Sequence, residues 1–163
     1  MKRVLFALML LLSSYVTAQN RTYYNTRFGF YASYPSYLHD NGESFNHDGT
    51  TFLSSDETIK MTACAMFNFL EETTAEILQS ERELLAEKGC EITYTFSNDT
   101  TVVLSGFTAD GNIFYKKRVL CTMYSPSYEE MVDIVAMANV EYPQSARTKG
   151  DEIVKCLKRF PFK

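Results

Sequence analysis

The chain has 163 residues and a formal net charge of −4. That length fits one domain large enough to bury a core. With no basic arm or Arg-rich stripe, the acidic balance argues against holding a phosphate backbone, so nucleic acid is not expected as a partner.

The first residues, MKRVLFALMLLLSSYVTAQN, place Lys2 and Arg3 ahead of an unbroken apolar run from Val4 to Leu12. The run is too short to serve as a retained transmembrane helix. Small residues in Val16-Thr17-Ala18 precede Gln19, so residues 1–18 read as a secretory signal peptide. The mature chain, residues 19–163, is then a single domain with 14 basic and 20 acidic side chains, a formal charge of −6. No cysteine follows the cleavage point and no later apolar segment reaches membrane-spanning length. A periplasmic or secreted protein is expected, without a lipid anchor or a transmembrane segment.

Phe28, Phe30, Ala32 and Tyr34 alternate with small or polar neighbours and predict a strand ended by Pro35. His39 to Gly49 is polar and reads as a loop. Thr50 to Ser54 predicts a short strand, Ser54 to Glu57 a turn, and Thr58 to Phe69 a second strand. Its Ile59, Met61, Ala63, Ala65, Phe67 and Phe69 face one way. Thr73, with Glu76 three residues on, has capping-box spacing and opens a helix that Gly89 ends. Four strands follow: Cys90 to Phe96, Thr100 to Phe107, Ile113 to Tyr124 and Met131 to Tyr142. The Ala109-Asp110-Gly111-Asn112 turn is the clearest hairpin signal. Ala136 and Ala138 leave room for a helix to approach. The last helix is expected from a Thr148 N-cap, burying Ile153, Val154, Leu157 and Phe160. Short connections force antiparallel pairing. The expected fold is α+β, with a single antiparallel sheet flanked by helices.

Cys64, Cys90, Cys121 and Cys156 form an even set in an oxidising compartment. They allow two disulfides in three pairings that spacing does not choose between, or they serve as small buried hydrophobes. Without a Cys-x-x-Cys pair, a zinc or redox centre is not indicated.

Several motifs share an order with a known family. "YYNTRFGFYASYP" is similar to the aromatic-x-Asn, Gly-Phe, Tyr-Pro start of exported PsbP-like domains. "HDGTTFLSSDETIKM" resembles the hairpin of a bacterial subset, "VVLSGFTADGNIFYKK" their central hairpin, and "EYP" before a last helix completes the series. The resemblance spans nearly all of the mature chain. It implies the PsbP-like α/β/α sandwich shared with Mog-type and DcrB-type proteins, and domains that assemble with partners rather than catalyse. Glu57 departs from the bacterial pattern, which has Gly after Asp56. The family offers no catalytic motif to carry over.

Candidate sites are few. A zinc site would be built from His39 and His47 with Asp40, Glu43 or Asp48, and a calcium site from Asp40, Glu43 and Asp48. They lack a helical His-x-x-x-His pair and the alternating oxygens of an EF-hand loop. No Gly-x-Ser-x-Gly elbow is present. Lys116-Lys117-Arg118 puts Lys116 and Arg118 on one strand face, as an anion or acidic-partner contact or as charges carried to solvent. Tyr23, Tyr24, Tyr31, Tyr34 and Tyr37 suit either a sticky face or strand packing. No catalytic residue, metal or cofactor is assigned, and the oligomeric state is not readable. The expected function is an exported, non-enzymatic binding or assembly module for a protein or cell-envelope partner. Its surface would include His39, Asp40, Glu43, His47, Asp48, Lys116 and Arg118. The alternatives are a small exported hydrolase using the His39–Asp48 loop, and a carrier with an apolar pocket between sheet and helix.

Overall fold

A computed structural model describes residues 19–163; the leader expected over residues 1–18 lies outside them. The strands are β1 (Asn20–Tyr24), β2 (Tyr31–Pro35), β3 (Leu38–Glu43), β4 (Gly49–Ser54), β5 (Lys60–Phe67), β6 (Glu91–Ser97), β7 (Thr101–Phe107), β8 (Ile113–Ser125) and β9 (Glu130–Tyr142). The helices are α1 (Thr74–Glu87) and α2 (Arg147–Cys156), with a 3-10 turn at Gln144–Ala146. Seven strands form one antiparallel sheet in the order β3-β4-β5-β9-β8-β7-β6, while β1 and β2 form a separate two-stranded sheet.

The expected sandwich, one sheet flanked by helices, is therefore corrected. The described chain is 48% strand and 19% helix, with two sheets rather than one. A seven-stranded sheet is about 29 Å wide at 4.8 Å per strand, and a ten-residue helix is only about 15 Å long. The small α2 cannot cover such a face, so the β1–β2 hairpin shares the task. Tyr23, Phe28, Phe30, Ala32 and Tyr34 from the hairpin region join Phe52, Met61, Ala63, Ile134 and Ala136 of the sheet, with Ile153 and Leu157 of the α2 region, in one core. Fully burying a side chain such as Phe28, Phe30 or Phe52 contributes about 2–3 kcal/mol. On the opposite face, Ile77 and Leu85 of α1 pack on Val102, Leu104, Phe114 and Val135.

The turn of the hairpin is seated tightly against β8. Gly29 has a φ of +76°, and a Cβ there would lie 2.1 Å from the Tyr124 carbonyl oxygen, so only glycine fits. The capping box of α1 is complete: Thr73 N donates to Glu76 Oε2 at 2.8 Å and Glu76 N donates to Thr73 Oγ1 at 3.3 Å. Helix α2 starts one residue before the predicted Thr148 cap, behind Ala146, which supplies no side-chain cap. The close helix approach foreseen at Ala136 and Ala138 is tightest at Gly150, where a Cβ would meet the Tyr142 ring at 2.3 Å. Half of the predicted loop from His39 to Gly49 is strand β3, paired with β4 across a bulge. All four cysteines are free thiols. No helix among the described residues is long and apolar enough to cross a membrane.

Candidate functional site: the loop end of the sheet

Four connections meet at one end of the sheet: the β1–β2 turn, the β3–β4 turn, the β5–α1 loop and the β8–β9 turn. Backbone bonds hold two of them to the strands, Ala65 N to Asp48 O and Asn68 N to Asp133 O, each at 2.9 Å. Asn25, fully buried, organises the inner side. Its Nδ2 donates to the Tyr23 hydroxyl and to the His47 carbonyl, both at 2.9 Å, and its Oδ1 accepts from Phe28 N at 2.9 Å. Arg27 organises the outer side. Its Nη1 donates to Asn46 O at 2.6 Å and its Nε to the Tyr128 hydroxyl at 3.2 Å. The guanidinium lies over the Phe28 ring at 4.9 Å and the Phe67 ring at 5.9 Å, a cation–π arrangement.

Phe67 stacks on Phe69 with ring centroids 4.8 Å apart and meets Tyr128 edge-on at 5.4 Å. The aromatic stripe then breaks the surface. Phe69 is 82% exposed, Leu70 is 83% exposed and Phe45 is fully exposed, while Tyr124, Tyr128 and Met131 each expose about half of their surface. Of the four non-glycine residues with left-handed φ among the described residues, three lie in these loops: His47 (57°), Glu71 (52°) and Glu129 (56°). Each such residue costs about 1–2 kcal/mol. Ordinary turn hydrogen bonds close two of these loops, His47 N to Ser44 O at 2.9 Å and Glu71 N to Asn68 O at 3.1 Å. Exposed apolar tips thus sit on hydrogen-bonded turns with left-handed backbone.

The residues singled out from the sequence fall into two places. Glu43, His47, Asp40 and Asp48 gather in the β3–β4 hairpin. The Tyr23 hydroxyl donates to Glu43 Oε1 at 2.6 Å, and His47 Nδ1 lies 2.7 Å from Glu43 Oε2. The Tyr23 bond, and after it His47, holds the Glu43 carboxyl below its ordinary range. Asp40 accepts from Gly42 N at 2.9 Å and from Thr50 Oγ1; Asp48 accepts from Asn46 Nδ2 at 2.9 Å. His39 stands apart on β3, opposite Leu53. No group of three or more His, Cys, Asp or Glu side chains among the described residues is set to hold a metal ion. Lys116 and Arg118 lie elsewhere, beneath α1, where Glu81 meets Lys116 Nζ at 2.7 Å and Arg118 Nη2 at 2.5 Å. Burial pushes the Cys121 thiol up to about 11 and raises Cys64 and Cys156, the opposite of an activated nucleophile.

No protein-family model matches the chain, and no curated protein matches its sequence. The site therefore rests on its own geometry. Sequence reasoning did not single out Arg27, Phe45, Leu70 or Tyr128, and it placed Phe69 inside the strand, on one face with Ile59 and Phe67. The strand ends at Phe67, and the alternation carried past that point gave no sign of the exposure.

Proposed function

We propose that the chain is an exported, non-enzymatic binding module that docks a protein partner of the cell envelope through this loop end. The observation that carries the reading is the exposure of Phe69 and Leu70, more than four-fifths each, beside the partly buried Phe67. A free surface this apolar is costly in water and is relieved by a partner. The motif order that resembles PsbP-like domains points the same way, toward assembly rather than catalysis.

Two observations favour this over the alternatives. The acids and His47 of the β3–β4 hairpin are engaged with one another and with Tyr23, so they shape the turn instead of standing free for hydrolysis. The apolar groove beside α1, between Ile77, Leu84, Met66 and Met137, has a volume near 150 Å³. Ligand pockets run from about 300 to 1,000 Å³, so a carrier has too little room there.

The test compares wild type with the F69S/L70S double variant as immobilised bait for envelope proteins of the native host. A partner retained by wild type and lost by at least about tenfold in the variant is expected for a hot-spot pair. Equal retention by both removes the loop end from the account.

A further inference from the structure

The chain after α2 turns back across β8, and the contact is made by a buried cation. Lys117 is only 8% exposed, and its Nζ donates to the carbonyls of Leu157 at 3.0 Å and Lys158 at 3.1 Å. Both acceptors are neutral. Beside them lies a groove of about 630 Å³ lined by Lys117, Lys158, Arg159 and Lys163, with Thr101 on β7 and with Phe160 and Phe162. No Asp or Glu side chain lines it. None of the four cations belongs to an ion pair among the described residues. That concentration stands out in a chain whose formal charge is −4. The carbonyls lie at the C-terminal end of α2, so the helix dipole supplies only a partial counter-charge to this ammonium and none to the other three cations.

We infer that this groove binds a phosphomonoester. Lys, Arg and Thr present hydrogen-bond donors to a group that only accepts, and four clustered cations suit a charge near −2, which a phosphomonoester carries. Phe162, half exposed at the rim, supplies an apolar surface for the organic part of the ligand, while the Phe160 ring stays in the core against Phe30. Neither feature depends on the loop end.

Calorimetry with the full chain and two probes tests the inference: glycerol 3-phosphate, and phosphatidylcholine vesicles containing phosphatidic acid. Glycerol and plain phosphatidylcholine vesicles are the controls. Saturable binding of a phosphomonoester probe, absent with its control, is expected, and the probe that binds identifies a soluble or a lipid source. The K158Q/R159Q variant changes two exposed side chains and retains the wild-type melting curve. It weakens binding by at least about tenfold, whereas F69S/L70S binds as wild type does. Absence of saturable binding to both probes, or unchanged affinity in K158Q/R159Q, overturns the inference.

Discussion

The Asn25 side-chain amide donates to the His47 carbonyl at 2.9 Å, tying the turn after β1 to the turn after β3. The same buried residue also bonds Tyr23 and Phe28, so three pieces of backbone and side chain share one hub. Asn25→Ala leaves a buried N–H and a carbonyl without their partners. The buried Phe28 N–H costs about 1–3 kcal/mol and the part-buried His47 carbonyl less, read as a lower urea midpoint. Amide exchange then quickens first at Phe28, whose N–H loses its acceptor. Asn25→Ala with wild-type stability would remove the hub from the account.

Beneath α1, Glu81 makes the converse case. Burial raises its carboxyl, but Arg118 and Lys116 outweigh that and hold it below the ordinary value. A folded-state pKa below the unfolded one stabilises the fold above the unfolded value, about 4.3, and the gain is lost as pH falls through the folded value. Glu81→Gln leaves Arg118 buried without its anion and costs about 3 kcal/mol at pH 7. The gap between variant and wild type narrows as pH drops from 5 to 3. A gap that is constant across that range contradicts the pairing.

Gly150 and Tyr142 set how closely α2 seats on β9. Gly150→Ala gains about 1 kcal/mol of helix propensity, yet its methyl group enters the Tyr142 ring. Overpacking of about 1–3 kcal/mol offsets the gain, so net stability falls or stays level. In a Tyr142→Ala background the ring is gone, and the same substitution stabilises. Denaturant midpoints of the four proteins form the double-mutant cycle that measures this coupling.

Phe69 and Leu70 contribute their surface to solvent rather than to the core. The F69S/L70S variant therefore melts within about 0.5 kcal/mol of wild type, as surface substitutions do. A large loss of stability would mean that the pair packs inward.

Local signals in the sequence located most elements. The Thr73–Glu76 capping box, Gly89 with φ +66° after α1 and Gly111 with φ +80° in the β7–β8 turn each act within a few residues. Strand β3 escaped because its "HDNGE" is polar on both faces, as suits a bulged edge strand with one side in water. Strand β1 is five residues long and exposed except at Tyr23, too little for an alternation signal. The sandwich expectation failed because the aromatic N-terminus was counted as one strand. The turn through Asn25 and Gly29 makes it a hairpin that covers the sheet. Glu81 meets Arg118 from 37 residues away, and Lys117 meets Lys158 from 41. No spacing rule joins residues so far apart; only the register of β8 and the seating of the two helices bring them together. The loop end was half legible: Glu43, His47 and Asp48 were marked, while the exposed Phe45, Phe69 and Leu70 beside them were not.

The direct measurement of the central claim is site-specific photocrosslinking in the native host. A benzophenone side chain is placed at position 69 and, as a control, at the exposed Lys155 on α2. The account predicts a discrete protein adduct from position 69 and none from position 155. Adducts of equal yield at both positions, or none at position 69 in a correctly folded and exported chain, would contradict it.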